Sequence, residues 1–198
     1  MVEYIVMELE CLGSVITSAI EVYPKETKGF LLDNYTELIG SGNVGIIDIG
    51  GAYPSQTDRR RRDSLTEDGT ASSRVVKSLN ISGNVIGKYH SHPYSGREKL
   101  NVPFINDSDI DYALEGMKEW DMERWLEVIL SIKKRRYEEE GNDGLSLKNY
   151  PHRFSIRATP FTGFEMEMWG FWINKKGNYR GVDILIPKIS RRKRKIRF

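Results

Sequence analysis

Two of the three histidines in this 198-residue chain stand two apart at the end of an apolar stretch, Val85-Ile86-Gly87-Lys88-Tyr89-His90-Ser91-His92-Pro93. The residues before the pair read as a β-strand, and on a strand residues i and i+2 share a face. Whatever fold the chain adopts must therefore carry a strand that presents His90 and His92 to one side, with Ser91 turned to the other. Neutral imidazole is the commonest protein ligand for zinc. A metal site on this strand follows as a hypothesis, and it needs a third ligand and a base.

The rest of the chain alternates helix and strand signals. Ser14 to Val22 predicts a short helix with an apolar face at Val15, Ile16, Ala19 and Ile20, capped by Ser14. Gly29 to Leu32 opens a strand, and Val44 to Ile49 forms another, bounded by Gly42 and Gly50-Gly51. Tyr53 to Asp68 is polar and basic and reads as a long loop, and Arg74 to Leu79 reads as a helix. Ile110, Ala113, Leu114, Met117 and Trp120 recur at helical spacing, which predicts an amphipathic helix from Asp109 to about Trp120. Trp125 to Ile132 is a mostly apolar, buried strand. Lys133 to Tyr150 reads as an insertion or mobile loop. Phe154 to Ala158 and Phe164 to Ile173 form a final hairpin pair. The order α-β-β-α-β-α-β-β-β predicts an α/β domain with helices packed on a sheet.

Three segments in order resemble the JAMM (MPN+) metalloprotease family. The first is Pro24-x-Glu26-x-x-Gly29-x-Leu31, the second is His90-Ser91-His92-Pro93, and the third is an imperfect S-x-x-D segment within Asn106-Asp107-Ser108-Asp109-Ile110-Asp111. The resemblance spans about Val15 to about Ile173. It implies a single MPN domain over residues 1–186, with a curved mixed β-sheet flanked by helices like that of cytidine deaminases, and a basic tail over 187–198. It implies Zn2+ held by His90, His92 and an aspartate, with Glu26 as the catalytic base. The third segment admits two registers. Ser108-x-x-Asp111 keeps the serine, whereas Asn106-x-x-Asp109 loses it but sets Ile110, Ala113 and Leu114 on the helix's core face. Helix phase favours Asp109 as the ligand, with Asp111 as the alternative. Either lies near a helix N-terminus, where the dipole stabilises an ionised carboxylate. The hydrogen-bond donor for the developing oxyanion is then Asn106 in the first register and Ser108 in the second.

Composition bounds the compartment and the partners. No run approaches the roughly 18 apolar residues of a membrane helix, and the N-terminus lacks the layout of a signal peptide. One cysteine, Cys11, forbids an internal disulfide or a four-cysteine zinc knuckle. A cytoplasmic, non-secreted protein with no membrane partner is expected. The net charge is only +2, but Arg59 to Arg62, Lys133 to Arg136 and Arg191 to Lys195 are basic runs. They read as solvated loops and a frayed end, and without aromatic interleaving they do not argue for nucleic acid. His152 reads as a structural or surface histidine, and the insertion Tyr94 to Ile105 as a border of the cleft.

The resemblance thus implies a zinc-dependent peptidase or isopeptidase. It would act after the C-terminus of ubiquitin or of a ubiquitin-like or sulfur-carrier protein, alone or with a partner subunit that aligns the glutamate. The alternatives are a non-catalytic MPN scaffold in a protein complex, or a RadC-like DNA-associated protein. A zinc deaminase is set aside because its signature needs two cysteines.

Overall fold

The computed structural model describes residues 2–33, 44–55, 57–60, 65–67, 78, 84–95, 105–134, 146–150, 153–157 and 163–186. Eleven strands are present among them: β1 (Val2–Met7), β2 (Lys28–Asp33), β3 (Val44–Pro54), β4 (Thr57–Arg60), β5 (Leu65–Glu67), β6 (Asn84–Tyr94), β7 (Arg124–Lys134), β8 (Ser146–Tyr150), β9 (Arg153–Arg157), β10 (Phe164–Asn174) and β11 (Tyr179–Leu185). Two helices accompany them, α1 (Leu9–Val22) and α2 (Asp107–Glu119).

Nine strands form one sheet in the order β11-β1-β3-β2-β6-β7-β10-β9-β8. Because β10 also pairs with β11, the first seven close into a barrel, with β9 and β8 extending from β10. This overturns the expected α/β domain with a curved mixed sheet flanked by helices. Among the described residues the chain is mostly sheet, the sheet closes on itself, and two helices serve it. The expectation failed at the two closing strands, which lie near the chain's ends. β1 pairs in parallel with both β3 and β11, and β10 with β11 antiparallel. Closure removes an exposed edge, a stabilising gain that appears only in the assembled sheet.

The other differences are local. α1 begins five residues before Ser14, because Cys11 and Leu12 continue the buried stripe of Val15 and Ala19. Gly13 faces open space within the helix, and Ser14 bonds back to the Glu10 carbonyl at 3.0 Å instead of capping. Gly50-Gly51 does not end β3. The strand runs on to Pro54, with a register shift opposite Leu32/Asp33. The expected loop from Tyr53 contains the β4–β5 pair. Of the expected helix at 74–79 only Ser78 is described, in helical conformation; His152 lies outside the described residues, as do 96–104 of the expected insertion and the tail after 186.

Two apolar clusters cover the two sides of the sheet. α1 packs Cys11, Leu12, Val15 and Ala19 with Leu31, Tyr89, Leu126 and Val128. On the other side α2 packs Ala113 and Met117 against Phe30, Trp125, Ile129 and Ile173. The predicted apolar face of α2 is thus the face that docks. β7, buried along Trp125 to Ile132, lies between the clusters, which explains its nearly unbroken apolar run. Gly29 lets β2 close onto its neighbours: a Cβ there would collide with the Tyr53 carbonyl and stand 2.6 Å from the Tyr89 ring.

Candidate metal centre

The alternation of β6 sets the site. Tyr89 and Ser91 are fully buried towards the α1 side, and Tyr89 shares a 3.1 Å hydrogen bond with Ser18 of α1. Lys88, His90 and His92 point the other way, into a cleft of about 230 Å³ between the sheet and the start of α2. Glu26, Asn106, Ser108 and Asp109 line the same cleft, so most of the residues expected at the site come together there. Asp111 is exposed and is not among the lining residues.

Glu26 arrives from the segment joining α1 to β2. Its neighbour Thr27 is clamped to β6 by two hydrogen bonds: Thr27 N donates to Ser91 Oγ at 3.0 Å, and Ser91 N donates to the Thr27 carbonyl at 2.8 Å. The serine between the histidines therefore faces away from the cleft, as its spacing requires, and ties down the residue beside Glu26. Asp109 is fixed by a capping box. Asn106 Oδ1 accepts from Asp109 N at 3.0 Å, and Asn106 N donates to Asp109 Oδ2 at 3.0 Å. The box starts α2 at Asp107, two residues before the expected start, and it leaves Asp109 Oδ1 3.7 Å from His90 Nε2.

Glu127 was not anticipated from the sequence. Its Oε1 lies 2.8 Å from His90 Nδ1, and its Oε2 accepts from Trp125 Nε1 at 3.1 Å. The carboxylate is nearly buried, on β7 opposite Lys88 in a parallel register. A lone acid in the apolar run Trp125-Leu126-Glu127-Val128-Ile129-Leu130 was the available signal. A carboxylate on the far nitrogen of a histidine fixes its tautomer and ring orientation. If His90 ligates zinc, Glu127→Gln should weaken zinc affinity by about 10–100-fold without changing stoichiometry at saturation. Competition titration against a chelator measures this, and an unchanged affinity would end the orienting role.

The imidazoles differ electrostatically. His90 is disfavoured as a cation by burial, but the hydrogen bond and charge of Glu127, with Asp109 and Glu26, outweigh this and raise its pKa above the ordinary value. His92 is pushed down to about 4, chiefly by burial and then by the His90 charge, against the opposing pull of Asp109. Their Nε2 atoms are 2.9 Å apart, a separation at which one ring can donate a proton to the other. Metal binding would compete with that proton.

Among the described residues no set of three or more His, Cys, Asp or Glu donors stands at metal-ligand spacing. For the pairs His90–His92 and His90–Asp109 the departure is small. Ligand atoms around tetrahedral zinc lie about 3.3 Å apart, from Zn–N bonds of about 2.0–2.1 Å. The imidazoles are closer than that and the carboxylate farther, each by a few tenths of an ångström. The donor types and the orienting carboxylate suit zinc. Cys11 takes no part: it is buried on the core face of α1, and burial, with the charges of Glu8 and Asp48, pushes its thiol up to about 12.

No protein-family model and no curated protein matches the chain. Among solved structures, it is similar to the solution structure of protein DSY2949 from Desulfitobacterium hafniense. The TM-score is 0.51 and the sequences are 15% identical, over 92% of this chain and 92% of that one. At that identity the likeness concerns the fold alone. No helix among the described residues is long and apolar enough to cross a membrane.

Proposed function

We propose that this chain is a zinc-dependent peptidase or isopeptidase. It would hydrolyse the bond after the C-terminus of ubiquitin or of a ubiquitin-like or sulfur-carrier protein. The supporting observation is the convergence of Glu26, His90, His92 and Asp109, from three separate parts of the chain, on one cleft. The fold lends this reading no weight, because function is argued from the site. The motif resemblance to JAMM metalloproteases names Glu26, His90 and His92, and an aspartate that is Asp109 in one of its two registers and Asp111 in the other.

His90, His92 and Asp109 would hold the ion. Zinc, when bound, would supply Lewis acidity to water and to the scissile carbonyl. Glu26, not a ligand in this reading, would take the proton of the attacking water and pass it to the leaving amine. Its place beside the Thr27–Ser91 clamp would keep that carboxylate aimed. Asn106, through its amide, or Ser108, through its hydroxyl, would donate to the developing oxyanion. Glu127 would hold the His90 ring. A cytoplasmic location and a partner subunit are compatible with this chemistry and belong to the proposal.

Elemental analysis tests the centre. One zinc per chain is expected in the wild type and in Asp111→Ala, with loss in Asp109→Ala. Loss in Asp111→Ala alone would move the ligand to the other register. A folded wild type without zinc would overturn the metalloenzyme and leave the non-catalytic scaffold.

A further inference from the structure

We infer that the cleft selects a substrate bearing a carboxylate beside the bond to be cleaved, docked against Lys28 and Lys88. This inference rests on the metal-hydrolase reading above. It begins from the two strands that hold the site. Lys88 precedes His90 by two residues on β6 and shares its face, and Lys28 on β2 is paired directly with His90. Both lysines line the cleft. Their ammonium groups gather on one ring of α2, with Lys28 Nζ 4.9 Å and Lys88 Nζ 6.0 Å from the Tyr112 centroid. Lys88 Nζ also lies 5.0 Å from the Phe30 centroid. Aromatic faces steady cations at such distances.

Lysine is an expensive choice at these positions. Lys28 is only 9% exposed, and its strand neighbours Phe30 and Leu32 belong to the apolar cluster beneath α2. Burying an ammonium costs free energy that an apolar side chain there would avoid. Charge balance supplies a reason. Among the described residues, and with both imidazoles neutral as metal ligation requires, the cleft sets the carboxylates of Glu26, Asp109 and Glu127 against these two ammonium groups, one negative charge in excess. A bound divalent cation would turn that into one positive charge in excess. A single carboxylate from the substrate restores neutrality, and in a site partly shielded from water an unbalanced charge is costly. The carboxylate would be either the α-carboxylate of a terminal residue or an acidic side chain. A cleft of about 230 Å³ admits a short extended segment carrying such a group.

Three peptides distinguish these sources: acetyl-Gly-Gly-Ala with a free terminus, acetyl-Gly-Gly-Glu-amide and the neutral acetyl-Gly-Gly-Gln-amide. Binding is measured by calorimetry on the full chain, metal-free and with added zinc, alongside its zinc content. At least one anionic peptide should bind the zinc-loaded protein about tenfold tighter than the neutral one. Lys88→Gln and Lys28→Gln should each reduce that preference, and Lys88→Arg should keep it. A preference for the free terminus alone assigns the α-carboxylate, and one for the glutamyl peptide alone assigns the side chain. Equal binding of all three peptides overturns the inference, as does a preference unchanged in both glutamine variants. If the protein takes up no zinc, the metal reading fails. The anion preference then falls with it, whereas a zinc-loaded protein that binds all three peptides alike overturns the preference alone.

Discussion

Glu26→Ala is expected to retain one zinc per chain and to lose hydrolysis of a ubiquitin-like conjugate by about 10²–10⁴-fold. The substitution removes a proton acceptor and leaves His90, His92 and Asp109 in place. The loss should fall on kcat more than on KM, because the carboxylate acts as the proton moves and not in holding the ground state. Folding should survive, since Glu26 is half-buried in the short segment before β2 and the backbone clamp between Thr27 and Ser91 does not involve its side chain. Retained activity would remove Glu26 from the chemistry. Loss of zinc together with activity would make it a ligand instead of a base. The two readouts, metal content and turnover, therefore separate the two roles of a carboxylate in this cleft.

His92→Ala should abolish zinc binding and activity together. It deletes one of three donors, so its effect should exceed the about 10–100-fold expected when only the orienting Glu127 is changed. Unchanged zinc content would sink the site. The same variant should alter acid stability in the metal-free protein. The folded His92 value, about 4, lies below the ordinary 6.5. The unfolded chain therefore takes up this proton first as the pH falls. The neutral imidazole costs the fold nothing above about pH 6.5, and stability is lost between there and about pH 4. His90 has the opposite sign: its raised pKa stabilises the fold below 6.5, and that contribution is lost as the pH rises through the folded value. Thermal melts across this range should show a shallower acid decline in His92→Ala than in the wild type. Identical slopes would mean that His92 is not held neutral by the fold.

Several parts of the site were legible because each rests on a local rule. Period-two alternation put His90 and His92 on one face and Ser91 on the other, and the structure keeps that arrangement. Helical phase placed Ala113 and Met117 towards the core, and this sets Asp109 in the cleft and Asp111 outside it. The letters that suggested a variant S-x-x-D segment also spell a capping box, so Asn106 is held by backbone chemistry whatever it does for a substrate. Glu127, Lys28 and Tyr112 were missed for a shared reason. Each meets the histidines or Lys88 across a strand pairing or from α2, and no spacing within one segment encodes those contacts.

The sequence by itself determined which face of β6 carries the imidazoles, which face of the amphipathic helix turns to the core, and that a glutamate stands just before β2. Those follow from periodicities of two and 3.6 residues, which neighbouring side chains impose on any fold. The tertiary structure alone decided that the sheet closes, that β1 and β11 meet in parallel across nearly the whole chain, and that Glu127 reaches His90. Val182 and Ile184 alternate with polar residues and could have marked β11 as a strand. Its partners could not be read in the same way, because strand pairing is settled by the whole set of edges satisfied together.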